Sequence, residues 1–396
     1  MPRTAALDTL RAALRGEPLP RDLSQLVAQD LVELAARQGL AGFLLSLDTA
    51  RQLPEGPRDL LRRVSVVAAT SHLRTQADLR WLTSLLDPLG VDWLVVKGPV
   101  LSEHWYAYPG QRAYGDLDVL VDPLGLPQVL AALEEGGCQL VDTNWSLSLS
   151  QRRAELSLLL PHGTPLDLHW HLLNTPALRA ALTLPSDALL ARRRPVALNG
   201  CGVTTLDQVD TLIHLAFHTL LSGGRQLSWY RDIAAVVSHP TLDEQVLITR
   251  SQLTGGGALV AVALERTAAV TGLSFAPDLL RSLAPRGVTW RRVIRALDRA
   301  RPLGDLEVSF FSGQLLVSAG RSTTRSSLRA VLSEVRHDVV EPLLHDPDHP
   351  WRARPRHRPP VVRPNALWAP PAASGDRVRY LAEVRREVLA APAVLR

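Results

Sequence analysis

Apolar residues recur at helical spacing through the first 86 positions. LDTLRAALRG, LSQLVAQDLVELAARQGLAGFLLSL and the run from Pro57 to Leu86 each carry an apolar stripe, and Pro18, Pro20, Pro54 and Pro57 punctuate the connections. Residues 1–86 therefore read as a helical N-terminal region. The period changes over 87–198. WLVV is a short apolar run suited to a buried strand, and Pro99 sits where a helix would begin and run to about Tyr108. LDVLV reads as a second strand, followed by a helix from Leu126 to Glu135 closed by Gly136-Gly137. CQLVD, WSLSLS, AELSLLLP and PLDLHWHLL read as further strands, the last two turned by His162-Gly163-Thr164. The order β-α-β-α then strands predicts an α+β core around a mixed sheet.

Helical spacing returns over 199–340. TTLDQVDTLIHLAFHTLL carries a threonine at its expected N-cap, LSWYRDIAAVVSH follows, and further helices are expected over 242–272, 289–300 and 325–340. Gly255-Gly256-Gly257 reads as a flexible joint. Residues 341–396 form a Pro/Arg-rich tail ending in a helix, DRVRYLAEVRREVLA.

The totals add limits. At 396 residues, 46% hydrophobic and 21% charged, the chain reads as an ordinary soluble globular protein with room for two or three domains. No run of 18 apolar residues occurs, and the first residues lack a secretory apolar region, so no membrane span and a cytoplasmic location are expected. Cys138 and Cys201 form no metal spacing and no disulfide framework. A net charge of +5 permits a nucleic-acid partner without indicating one. The basic tail reads first as a solvated linker.

The chemistry concentrates between Trp93 and Asp122. Asp116 and Asp118 share one strand face because side chains alternate. Two adjacent carboxylates repel unless a cation sits between them. Asp167, in LDLHW, is placed to join them from a later strand. Lys97 is the only lysine of the chain and begins a Lys-Gly turn ahead of a helix, where an anion can bind. Three clustered carboxylates suit Mg2+ or Mn2+, and a phosphate turn beside them implies a nucleoside triphosphate. The reaction would be in-line attack at phosphorus.

Lys97-Gly98, Tyr106, Arg112, Gly115-Asp116-Leu117-Asp118, Leu120-Val121 and Leu166-Asp167-Leu168-His169-Trp170 together resemble the nucleotidyltransferase superfamily, closest to an uncharacterised bacterial branch. The likeness continues through Leu215-Ala216-Phe217-His218 and Trp229-Tyr230-Arg231-Asp232-Ile233. It implies a small mixed-sheet nucleotidyltransferase core with helical flanks. It also implies transfer of a nucleoside monophosphate from an NTP to an acceptor: a protein, small molecule, peptide or RNA end. Asp116 and Asp118 would ligate Mg2+, Asp167 would bind metal and help deprotonate the acceptor, and Gly98 would admit the triphosphate. Lys97 and Arg112 are assigned to phosphate from charge and position. Gly98-Pro99 stands where the wider superfamily has Gly-Ser or Gly-Gly.

His169 and His171 share the face of Asp167 by strand alternation, so either reaches the site as acid, base or phosphate contact, or serves as support. His214 and His218, at i and i+4, read as packing or supporting groups before a zinc site. Asp232 is expected to pair with an arginine or to face the cleft. Tyr106, Tyr108 and Tyr114 are candidates for stacking on a base or for packing. Two other functions remain open on the sequence: a non-catalytic nucleotide-binding scaffold of the same fold, and a nucleic-acid-binding protein using the tail.

Overall fold

The computed structural model describes residues 2–283 and 374–390, with the isolated positions 292 and 296. The helices expected over 325–340, most of 289–300 and the tail up to residue 373 lie outside the described residues.

Seven strands form one mixed sheet in the order β3-β4-β5-β2-β1-β7-β6. They are β1 (Trp93–Val95), β2 (Leu117–Val121), β3 (Gln139–Leu140), β4 (Glu155–Leu159), β5 (Pro165–His169), β6 (Arg194–Leu198) and β7 (Cys201–Thr205). β2 runs parallel to β5 and β1 parallel to β7, while β1–β2, β3–β4, β4–β5 and β6–β7 are antiparallel. The mixed α+β architecture is thus the expected one. Its sheet continues past residue 198, because the hairpin β6–β7 closes against β1. Thr204 and Thr205 belong to β7, so the helix that follows is capped by Asp207, not by threonine.

Helices α1 (Pro2–Leu14), α2 (Gln25–Arg37), α3 (Ala41–Ser46) and α4 (Glu55–Leu86) precede the sheet. Next come α5 (Leu126–Glu135), α6 (Trp145–Gln151), α7 (Pro176–Ala181) and α8 (Ser186–Ala191). The last of the series are α9 (Gln208–Leu221), α10 (Leu227–Val237), α11 (Glu244–Leu253), α12 (Gly257–Thr271) and α13 (Pro277–Leu283). A further helix, Ser374–Ala390, docks on the core through buried Tyr380, whose hydroxyl accepts from Trp170 Nε1 at 2.9 Å and donates to the Arg153 carbonyl at 2.8 Å.

Two further sequence expectations fail here. WSLSLS is helix α6, not a strand: Asn144 accepts from the Leu147 N–H and starts a turn that buries Trp145 and Ser148 on one side. The glycine run is not a flexible joint. A Cβ on Gly256 would fall 2.4 Å from the Phe217 ring, and one on Gly257 would fall 2.6 Å from the Leu283 carbonyl oxygen. Those glycines let α12 pack closely.

The central strands alternate between two cores. Val95, Val119, Val121, Leu166 and Leu168 pack with Leu79 and Leu82 of α4 and Val129 of α5. Leu94 and Leu120 face the opposite way, onto Leu212, Ile213 and Phe217 of α9. By the same parity Asp116, Asp118, Asp167 and His169 look toward α9. A third core joins α1–α4 to Leu227 and Tyr230 of α10 and Val270 of α12. Helix α4, about 48 Å long for its 32 residues, links that core to the sheet. Its buried Asp78 accepts from the His162 and Thr164 backbone N–H groups and so anchors the β4–β5 turn. Among the described residues no helix is long and apolar enough to cross a membrane.

Candidate active site

The site begins where β1 ends. Val96 N–H bonds the Asp118 carbonyl at 3.0 Å, and the chain then turns through Lys97 and Gly98. Gly98 has φ +50°, and a Cβ there would lie 3.1 Å from the Asp116 carbonyl oxygen and 3.4 Å from the Tyr114 ring. Glycine is needed here on both counts. A short helical turn follows Pro99 and widens to a π-type turn over Leu101–Trp105, so it stops before Tyr108. Ser102 Oγ donates to the Pro109 carbonyl at 2.7 Å and fastens the loop that returns to β2.

The acids occupy adjacent strands. Asp118 and Asp167 are register partners in the parallel pair β2–β5. Asp118 is 3% exposed, and its Oδ1 receives Lys97 Nζ at 3.1 Å and His169 Nε2 at 3.2 Å. Its Oδ2 is buried and has no partner among the described residues. Burial pushes the Asp118 carboxyl up, but Lys97 and His169 outweigh it and hold the group well below the usual range. Lys97 is raised: burial acts against its charge, and Asp118 and Asp116 overcome it. Asp116 is also raised, by burial and then by the Asp118 charge. Asp167 accepts from Ser157 Oγ at 2.9 Å and is pushed up to about 6, first by burial and then by Glu155 and Asp118. His169 is raised because its bond to Asp118 and the nearby acids outweigh burial.

Lys97, Gly98, Arg112, Asp116 and Asp118 line a cleft of about 410 Å³ between the sheet and the helices. The far wall includes Arg37 of α2, His218 of α9, and Ser228, Trp229 and Asp232 of α10. Asp167 and His169, on the neighbouring strand β5, flank Asp118 and do not line the cleft. Arg112 lines the cleft, yet its charge is committed: Nε and Nη2 fork onto Asp232 at 2.8 and 2.9 Å. Tyr106, a candidate for base stacking, instead gives its hydroxyl to Asp232 at 2.6 Å under the Arg231 guanidinium. Tyr114 bonds His72 through its hydroxyl at 2.8 Å. Tyr108 is exposed and away from the cleft lining.

The remaining histidines support the site. β5 ends at His169, so His171 does not continue the alternation, and its Nδ1 accepts from the Leu173 N–H at 3.0 Å. His214 and His218 face Lys97 from α9, and burial followed by the Lys97 charge holds both below their usual range. His218 meets the Trp229 ring edge-on at 5.0 Å. Arg37, Ser228 and Trp229 were not singled out as cleft residues by the sequence. Their helical periodicity carries packing information only, and the far wall exists through the tertiary docking of α2 and α10.

Among the described residues no three His, Cys, Asp or Glu side chains converge as ligands to one ion. Asp167 shares the face of Asp118 across the β2–β5 pair but accepts from Ser157 and does not line the cleft, so among the described residues the three acids expected to cluster do not converge on one ion. Asp116 and Asp118 do fit a hard divalent cation. They supply oxygen donors on one face, one of them buried with no partner among the described residues, and Mg2+ is commonly held by one or two carboxylates together with substrate phosphates.

A sequence profile described as "Uncharacterised nucleotidyltransferase" matches residues 24–272. No curated protein matches the chain. Among solved structures, an antigenic nucleotidyltransferase-like protein from Paracoccidioides brasiliensis shares 17% identity over 54% of this chain and 92% of that chain, with a TM-score of 0.30. That likeness is too slight to carry an argument. The profile spans more than half of the chain, from α2 through the sheet to α12, and the protein belongs to this family of uncharacterised nucleotidyltransferases.

Proposed function

We propose that the protein transfers a nucleoside monophosphate from an NTP to an acceptor hydroxyl and releases pyrophosphate. The observation that carries this reading is the acid pair Asp116 and Asp118 beside the Lys97-Gly98 turn in one cleft. The acceptor oxygen attacks the α-phosphorus, and the bond from that phosphorus to the β-phosphate oxygen breaks. Asp116 and Asp118 would hold Mg2+ or Mn2+, which supplies charge neutralisation to the phosphates when bound. Lys97 offers a compact charge to the leaving pyrophosphate. Gly98 admits the phosphates close to the backbone. Asp167, raised to about 6, has the basicity to accept the acceptor proton near neutral pH once its Ser157 bond is released. Arg112 orients the loop that carries Asp116 by its hold on Asp232 and is not assigned to phosphate.

A second reading, nucleotide binding without transfer, is favoured by one observation: Lys97 already occupies the metal-side acid Asp118. The two are separated by pyrophosphate release from each of the four NTPs with Mg2+ and fractionated host lysate. Release that disappears in Asp116→Asn and Asp118→Asn supports transfer. Tight NTP binding with no release in any fraction supports the second reading.

A further inference from the structure

Resting on the nucleotidyl-transfer reading, we propose that Lys97 is an exchangeable counter-ion. It holds Asp118 while the cleft lacks nucleotide and passes to the triphosphate when one binds, so the acid pair admits a divalent cation together with nucleotide and poorly without it.

The geometry has four parts. Lys97 Nζ sits 3.1 Å from Asp118 Oδ1, with the two side chains 13% and 5% exposed. The other oxygen of Asp118 is buried and has no partner among the described residues. A divalent ion arriving alone would meet this ammonium at close range in a poorly solvated site. Third, the described cations beside Asp118 are committed elsewhere, and Arg37, the other cation of the cleft, stands on its far wall. Arg112 is forked onto Asp232, and His214 and His218 are held neutral. His169 already spends its Nε2 on the same Asp118 oxygen. Fourth, both possible partners of Lys97 open onto one cleft, so a phosphate entering beside Gly98 lies within reach of the flexible lysine stem.

The identity of the residue carries the same message. Every other Lys or Arg position of the chain is arginine. An arginine at 97 would fork both oxygens of Asp118, as Arg112 forks Asp232, and would lock the acid. An ammonium donates from one point and can move between partners. The single lysine is therefore placed where release is required.

The test measures Mn2+ binding to the whole protein by electron paramagnetic resonance of the free ion. It is run with and without α,β-methylene analogues of ATP, GTP, CTP and UTP. Lys97→Met is expected to bind Mn2+ at least tenfold tighter than wild type without nucleotide. Adding Asp118→Asn should remove that gain, and Lys97→Arg should show none. Equal nucleotide-free affinity in wild type and Lys97→Met overturns the exchange. Wild type that binds Mn2+ with no analogue present as well as with one also overturns it.

A second measurement needs no variant. Protein labelled with ε-13C lysine has one lysine resonance, from Lys97. The resonance should shift with analogue plus Mg2+ and stay in place with Mg2+ alone. A resonance unmoved by analogue plus Mg2+ overturns the proposal. If no analogue brings Mn2+ to wild type, the nucleotidyl-transfer reading falls with it. If an analogue does so and Lys97→Met changes nothing, only the exchange falls.

Discussion

Arg112 holds Asp232 through two parallel bonds, Nε to Oδ1 at 2.8 Å and Nη2 to Oδ2 at 2.9 Å, across the seam between the β2 side of the sheet and α10. Asp232 is 1% exposed and takes a third bond from Tyr106. Removing either charge leaves the other buried and unpaired, which costs about 3–5 kcal/mol. Asp232→Asn and Arg112→Met should each lose that amount in urea unfolding, and the double variant should lose less than the sum. Losses within about 0.5 kcal/mol, as at a surface site, would show that the fork does not hold the seam.

The two acids of the cleft should separate in stability while agreeing in activity. Asp118 is the partner of both Lys97 and His169, so Asp118→Asn strands an ammonium and should unfold at clearly lower denaturant. Asp116 is raised by burial and by Asp118, so Asp116→Asn relieves repulsion and should match or exceed wild-type stability. Both should lower transfer by about 100-fold or more, the scale of losing one electrostatic group from a phosphoryl site. Equal stability of the two variants would contradict the assigned pairing.

Asp167 sets a pH signature. Its folded value of about 6 lies above the ordinary 3.8, so its contribution to stability is present below about 3.8 and is lost as pH rises through 6. Asp167→Asn, which keeps an acceptor for Ser157, should escape that loss. Relative to wild type the variant should gain stability between pH 4 and 6 and hold the gain above, measured by denaturation across that range. Asp118 has the opposite sign. Its depressed value keeps its contribution above 3.8, and the contribution is lost only as pH falls further. A flat difference between Asp167→Asn and wild type across pH 4 to 7 would remove Asp167 as a raised group.

Gly98→Ala asks an alanine to adopt φ +50° with its Cβ 3.1 Å from the Asp116 carbonyl. The cost expected is about 1–3 kcal/mol. The variant should also bind nucleotide more weakly, because relief of the contact displaces the strand end that carries Asp116. Wild-type stability and nucleotide affinity together would show that the turn tolerates a side chain.

The strands that carry chemistry were legible because their alternation is strict: LDVLV and LDLH put acids on one face and leucine or valine on the other. The pairing of Asp118 with Asp167 follows once β2 and β5 are neighbours. That neighbourhood is a matter of topology that no local pattern records. WSLSLS misled because serine and leucine alternate there at strand period, while Asn144 starts a helix. Arg112 looked like a phosphate ligand because Asp232, some 120 positions later, becomes its partner only in the fold. Of the far wall only Asp232 and His218 were singled out; Arg37, Ser228 and Trp229 went unread for the same reason. The lone lysine was legible as unusual, and the structure supplied the atom it holds.

The most direct measurement of the central claim follows label from NTPs carrying phosphorus-32 at the α or the γ position, incubated with the protein, Mg2+ and host lysate. The expected result is covalent label on an acceptor from the α-labelled NTP and none from the γ-labelled one, with the signal lost in Asp116→Asn and Asp118→Asn. Label arriving from the γ position, or α-label that survives both substitutions, would contradict nucleotidyl transfer at this acid pair.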